Sequence, residues 1–218
     1  EENLNGRKGS IILMDPSNGE ILALANYPNF NPAVFVNKRT KLISGLFNDP
    51  DAPLINRAIG SSYPLASVFK VVVASAGLEL KKINSSTSFI CQGSIMVGSR
   101  KFKCWDVHGL ENIYQAIAHS CDVFFYETGL LLGAKNIHDY ALKLGLGKKV
   151  GFELANETSG FIPSPLWRKI NKFQNWFAGD TANLSIGQGD CLVTPLQATN
   201  LLAVFANRGY LLTPYIVK

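Results

Sequence analysis

Two groups of side chains in this sequence have types and spacings that could do chemistry. The first is Ser67-Val68-Phe69-Lys70, which follows Tyr63-Pro64-Leu65-Ala66 at a point where the chain should turn into a helix. At that spacing serine and lysine share one helix face, so the amine can reach the hydroxyl. A serine hydroxyl is a poor nucleophile until a base takes its proton, and a lysine can be that base if burial or nearby cations depress its pKa. Free N–H groups at the helix start would also favour the negative charge on an attacked carbonyl oxygen. Taken alone, Ser-x-x-Lys equally describes a helix-capping serine and a solvated lysine.

The second group is Cys91, Cys104, His108 and Cys121, separated by twelve, three and twelve residues. Cys104-Trp-Asp-Val-His108 is a short knuckle typical of tetrahedral zinc, and three thiolates with one imidazole would close a structural site. The outer spacings are longer than in a standard zinc finger, so free thiols or a disulfide stay open on spacing alone. Cys191 reads as a small buried hydrophobe. His119 and His138 show no partner pattern and read as surface or helix positions.

Gly9 to Asp15 and Glu20 to Asn26 read as buried strands joined by the turn Pro16-Ser17-Asn18-Gly19, hence an antiparallel hairpin. The stretch 27–64, with Asn48-Asp49-Pro50-Asp51-Ala52-Pro53 inside it, reads as a long irregular connection of the kind that serves a site. From Ser67 to Leu80 the density of Val68, Val71, Val72, Ala74, Ala76 and Leu78 predicts a buried helix, although β-branching leaves a strand open on periodicity. Further helices are predicted over about 112–132, 136–145 and 195–207, the last opened by Thr194-Pro195. Gly133, Gly145, Gly147 and Gly209 act as stops. Tyr210 to Val217 begins another strand region, so strands at both ends flank a helical middle. That pattern gives an α+β domain whose terminal segments could share one sheet.

The 218 residues, 47% hydrophobic and 17% charged, are enough to bury a core, and one globular domain is the default. No run reaches the roughly eighteen apolar residues of a membrane span, and the N-terminus lacks the apolar core of a signal peptide. A strand already begins at Gly9, so flanking parts are expected outside this sequence. The net charge of +5 is spread out. Its densest runs, Lys38-Arg39-Thr40-Lys41 and Lys148-Lys149, read as solvated loop faces, and no nucleic-acid partner is expected. A mild basic bias suits work beside an anionic polymer.

Ser-x-x-Lys followed by a Ser-x-Asn type motif and a Lys-Thr-Gly strand is the signature of penicillin-binding proteins and class A β-lactamases. Five ordered blocks here resemble those of class B penicillin-binding proteins: Asp15 to Ala25, Pro53 to Ala58, Tyr63 to Lys70, Ser120-Cys-Asp122 and Gly187-Gln-Gly-Asp190. Ser120-Cys-Asp-Val-Phe-Phe-Tyr126 is similar to the elongation-type group, penicillin-binding protein 2. The resemblance implies a penicillin-binding/β-lactamase-like transpeptidase fold: α+β, an antiparallel sheet with flanking helices and a helical subdomain. It makes Ser67 the nucleophile, Lys70 its base and Ser120 the second-motif serine that shuttles protons. Asp122 takes the third position of that motif, where many relatives have asparagine. Without the resemblance, Ser120 and Asp122 would read as polar decoration of a helix. Relatives in this group can carry zinc in this part of the chain, which supports Cys91, Cys104, His108 and Cys121 as ligands. No cofactor is implied for catalysis.

Two departures stand out. Leu65-Ala66 occupies the place of the usual Pro-Gly, which would alter the turn without touching the chemistry. No Lys-Ser/Thr-Gly occurs in the sequence, so the transpeptidase domain spanning 1–218 is expected to be incomplete at its C-terminal side and, alone, poorly active or inactive. The implied function is a D-alanyl-D-alanine transpeptidase that cross-links peptidoglycan stem peptides through a Ser67 acyl-enzyme and is acylated by β-lactam antibiotics. Family membership further implies the periplasmic face of the bacterial inner membrane, an N-terminal anchor and pedestal outside this sequence, and work with a SEDS-type glycosyltransferase and the rod complex. Two other readings share features with this one. A class D-like β-lactamase shares Ser-x-x-Lys, but Asp122 speaks against it because that class usually has an apolar residue there. A non-catalytic penicillin-sensing domain would keep the fold without turnover.

Overall fold

The structure is a computed structural model and describes residues 2–217. After a 3₁₀ turn at Glu2–Leu4 come β1 (Gly9–Met14) and β2 (Ile21–Tyr27), then α1 (Ala33–Val36), α2 (Thr40–Asn48) and α3 (Arg57–Gly60). A 3₁₀ turn at Ala66–Phe69 runs into α4 (Lys70–Glu79), followed by β3 (Ser88–Cys91), β4 (Ser94–Val97), β5 (Arg100–Lys103) and β6 (Gly109–Asn112). The helices α5 (Ile113–Ala118), α6 (Asp122–Leu132), α7 (Ala134–Lys143), α8 (Pro165–Asn171), α9 (Ala178–Ser185) and α10 (Pro195–Ala206) complete it. The α+β class expected from the sequence is borne out. The stretch 27–64 is less irregular than its prolines suggested, since it holds three short helices.

Two compact units are present: residues 1–63 with 148–160 and 193–218, and residues 64–147 with 161–192. In the first unit β1 and β2 form the expected antiparallel hairpin, from Gly9 opposite Tyr27 to Met14 opposite Ile21. Asp15 closes its turn by accepting from the Ser17 N–H at 2.8 Å and hydroxyl at 2.7 Å, bonds that hold its carboxyl below the usual range. Met14, Ile21, Ala58, Ile59, Phe152, Leu196 and Ala203 pack as one core between the hairpin, α3 and α10. Thr194 and Gln197 cap α10 reciprocally, with Pro195 at its first position.

The strand predicted near 210–217 is reduced to a single parallel bridge between Tyr215 and Glu20. Side chains take the backbone groups a ladder would need. Asn207 bonds both the N–H and C=O of Tyr210, Asn200 donates to the Leu212 carbonyl, and Glu153 accepts from the N–H groups of Ile216 and Val217. Pro214 has no N–H to contribute.

In the second unit α4, α6, α7 and α9 pack on one another and bury Val72, Phe124, Phe125, Ile137 and Leu184. Gly129 lets α6 and α9 approach closely, because a Cβ there would collide with Cβ of Ser185. Two antiparallel pairs, β3 with β6 and β4 with β5, carry the loop that holds three of the four metal-ligand candidates. The helix predicted over 112–132 is broken in two. Asn112 and Gln115 cap the start of α5 reciprocally, but Ser120 adopts a left-handed φ of +53° and Cys121 is extended, so the helix restarts at Asp122.

The turn before Ser67 is also left-handed, with Ala66 at φ +51°. A side chain there costs about 1–2 kcal/mol, and glycine would avoid the penalty. The Ala66 N–H donates to the Gly187 carbonyl at 3.2 Å. Gly187 itself has φ +68°, and a Cβ on it would lie 2.5 Å from the Ala66 oxygen and 2.6 Å from Cβ of Phe69. Replacing Ala66→Gly should therefore raise stability in chemical denaturation by up to about 1 kcal/mol, the strain relieved less the entropy glycine loses on folding. Gly187→Ala should lower it by about 1–3 kcal/mol.

Candidate active site and cysteine cluster

Ser67 lies exposed in the 3₁₀ turn, and Lys70, the first residue of α4, is buried beneath it at 3% exposure. The expected direct reach from lysine to serine is replaced by an indirect one. Lys70 Nζ donates to the Ser120 carbonyl at 2.7 Å, the Ser120 hydroxyl at 2.9 Å and Asp122 Oδ1 at 2.6 Å. The Ser120 hydroxyl in turn donates to Ser67 Oγ at 2.9 Å. All four side chains predicted for catalysis thus meet, with Ser120 as the link between nucleophile and amine. The break between α5 and α6 makes this possible, since a continuous helix would tie the Ser120 carbonyl into its own hydrogen-bond ladder. The Phe125 ring lies 5.7 Å from Nζ and closes the amine's apolar side.

The cysteine cluster abuts this group. Cys91 ends β3, Cys104 follows β5, His108 precedes β6, and Cys121 is the residue at the start of α6. Their ligand atoms all lie within 4.8 Å of one another. His108 Nδ1 is 3.6 Å from Sγ of both Cys91 and Cys104. Tetrahedral zinc with bonds of about 2.3 Å to sulfur and about 2.0–2.1 Å to nitrogen has a sulfur-to-nitrogen edge of about 3.6 Å, so this donor set fits the ion in chemistry and size. All four cysteines of the chain are free thiols.

The thiols are electrostatically unequal. Burial works against the Cys104 thiolate, but N–H groups of Asp106, Val123 and Asp122 outweigh it and hold Cys104 below the ordinary thiol range. The Asp122 N–H lies 3.2 Å from its sulfur, so Cys104 supplies the N-terminal cap that Cys121 does not. Burial, reinforced by Cys91 and Cys104, pushes the Cys121 thiol well up. Zinc would bind these sulfurs as thiolates and offset the repulsion between them. Cys191 is fully buried away from the cluster, and burial pushes its thiol up to about 12.

Several residues here carried no signal in the sequence. His119, expected to have no partner, lies 3.0 Å through Nδ1 from Glu111 Oε1, and Glu111 is 2% exposed. The His119 ring stacks on His108 at 5.8 Å, and the edge of Trp105 meets His108 at 5.0 Å. Glu111 precedes and His119 follows the six-residue helix α5, and no residue pattern in the sequence marks the two as a pair. His138, by contrast, has a buried Nδ1 with no partner among the described residues.

Residues 9–218 match the family model described as the penicillin binding protein transpeptidase domain. The chain is 36% identical to the peptidoglycan D,D-transpeptidase MrdA of Acinetobacter baumannii, over all of this chain and 33% of that protein. Among solved structures it resembles PBP2 of Pseudomonas aeruginosa in complex with WCK 5153, at a TM-score of 0.93 and 31% identity, over all of this chain and 51% of that one. It also resembles the PBP2 in a complex with MreC from Helicobacter pylori, at a TM-score of 0.90 and 36% identity, over 98% of this chain and 41% of that one. The chain spans about a third of the length of the curated relatives it matches. With the match covering nearly every residue, and the ordered blocks around Ser67 and Ser120 inside it, the chain belongs to the penicillin-binding protein transpeptidase domain family.

Proposed function

We propose that this chain is the acylating part of a peptidoglycan D,D-transpeptidase that cross-links stem peptides and is acylated by β-lactams. The observation that carries this reading is the Ser120 hydroxyl, 2.9 Å from Ser67 Oγ and 2.9 Å from the buried Lys70 amine. In the acylation step the Ser67 proton passes to the Ser120 oxygen while the Ser120 proton passes to the neutral form of Lys70. Ser67 Oγ bonds to the carbonyl carbon of the donor peptide's penultimate D-alanine, the amide C–N bond breaks, and the departing D-alanine amine takes the proton back along the same path. A neighbouring stem's amine then attacks the ester, its proton leaves by that path, and Ser67 regains its hydroxyl. Asp122 keeps the Lys70 amine in place throughout.

We propose one structural zinc ion held by Cys91, Cys104, His108 Nδ1 and Cys121. With four protein ligands such a site leaves no open position, so its contribution is to fix the 91–108 loop and the start of α6. The working location in this reading is the periplasmic face of the inner membrane. No described helix is long and apolar enough to cross a membrane. The Helicobacter relative seen with MreC supports rod-complex partners, and family resemblance adds a SEDS-type glycosyltransferase.

Intact-mass spectrometry of the full-length protein after penicillin treatment tests the nucleophile. One persistent adduct is expected on the parent and none on Ser67→Ala, and an equal adduct on the variant would overturn the assignment. Rapid hydrolysis of the adduct would favour the β-lactamase reading, and a folded protein that takes no label would favour the penicillin-sensing one. Ser120→Ala should slow acylation by about 10²- to 10⁴-fold, the usual contribution of positioned proton transfer, in stopped-flow labelling. Elemental analysis should find one zinc per chain in the parent and a clear loss in Cys104→Ser, accompanied by a lower melting temperature. Equal zinc in both would remove Cys104 from the ligand set.

A further inference from the structure

The residue before Ser120 is held from three sides although its own side chain is 52% exposed. Its ring nitrogen Nδ1 meets Glu111 on β6 at 3.0 Å. Its carbonyl accepts from the Trp105 indole N–H at 3.1 Å. Its ring lies parallel to His108 at 5.8 Å, with an interplanar angle of 5°. Glu111 Oε2 is buried without a partner among the described residues, so His119 is the hydrogen-bond partner of this carboxyl group. A buried carboxylate gives up such a donor only at considerable cost, which ties the two residues together.

The peptide plane between residues 119 and 120 contains the His119 carbonyl and the Ser120 N–H. Fixing that carbonyl therefore fixes the plane from which Ser120 φ is measured. The end of α5 holds the other edge through the Ser120 N–H, which donates to the Ile117 carbonyl at 3.2 Å. Ser120 needs this support, because its φ of +53° is strained for a residue with a side chain. Only in that conformation does it present its carbonyl and hydroxyl to Lys70 and its hydroxyl to Ser67.

The geometry points to His119 as a positioning residue for the Ser120 relay, clamped by Glu111 through its ring and by Trp105 through its carbonyl. This rests on the reading of Ser120 as the proton link in acylation. His119 touches neither Ser67 nor Lys70 and acts through the backbone of its neighbour.

The test is the second-order rate of Ser67 acylation by a fluorescent penicillin in the full-length protein, with metal content and melting temperature measured alongside. His119→Ala should lower the rate by about tenfold to a hundredfold with the parent's metal content, and with a lower melting temperature because buried Glu111 loses its partner. His119→Asn should restore it, since its amide nitrogen takes the place of Nδ1 and can donate to Glu111. Trp105→Phe, which keeps a ring edge on His108 and removes the indole N–H, should lower the rate like His119→Ala. A His119→Ala rate equal to the parent's, a loss that His119→Asn does not restore, or a loss that follows departure of the metal would each overturn the clamp while leaving the transpeptidase reading intact. A parent protein that takes no label would overturn both.

Discussion

A lysine amine at 3% exposure must find oxygens inside the protein, and α4, which carries Lys70, offers it none. They come from Ser120 and Asp122, about fifty positions along the chain, and much of the second unit follows from that need. To free a carbonyl and a hydroxyl at one residue, the helical run between Ile113 and Leu132 has to break at Ser120. To survive the break, the restarting helix needs a cap, and the Cys104 sulfur provides it from another part of the chain. The nucleophile is then positioned from the lysine outward, with Ser67 taking its hydrogen bond from Ser120.

The cysteine loop belongs to the same problem. Its two strand pairs bring Cys91, Cys104 and His108 to the point where α6 begins, and Cys121 lies between the two residues that hold Lys70. A closed metal centre there would tie the loop to the one helix start whose position matters for proton transfer. Apolar contacts from this loop also reach α6, Phe89 against Phe124 and Phe102 against Tyr126, while Val97 and Phe102 pack with Ala182 of α9 as well. Ligation and part of the packing thus meet at α6.

Much of this was legible in the sequence, and the limits have physical causes. The hairpin at Gly9 to Asn26 and the helix opened by Thr194-Pro195 carried strong local signals, two apolar runs around a turn in one case and a threonine followed by a first-turn proline in the other. The four cysteine and histidine positions were visible because ligand types are rare and their spacing is countable. The break at Ser120 was not visible, since no glycine or proline marks it and the left-handed residue is held by distant groups. The direct contact expected between Lys70 and Ser67 failed for the same reason: helix spacing put the two on one face but could not show that Ser120 would stand between them. His119 read as a surface or helix position because its partner Glu111 lies across α5, eight residues back, where no spacing rule marks a pair. The strand expected near Tyr210 gave way to side-chain hydrogen bonds from Asn200, Asn207 and Glu153 that no propensity registers.

The seat of Ala66 against Gly187 has a consequence for how the chain folds. The hydrogen bonds of α4 and of the 3₁₀ turn before it are local and need only short loops to close. The turn that presents the serine depends on a contact 121 positions away, counted from residue 66 to residue 187, and long-range contacts close late because their loop entropy must be met first. Proximity of Ser67 to Lys70 is thus local, while their membership of a working site depends on the distant contact. Covalent capture of a β-lactam would then read out completion of the fold, and a chain arrested part-way would hold the whole motif yet stay silent.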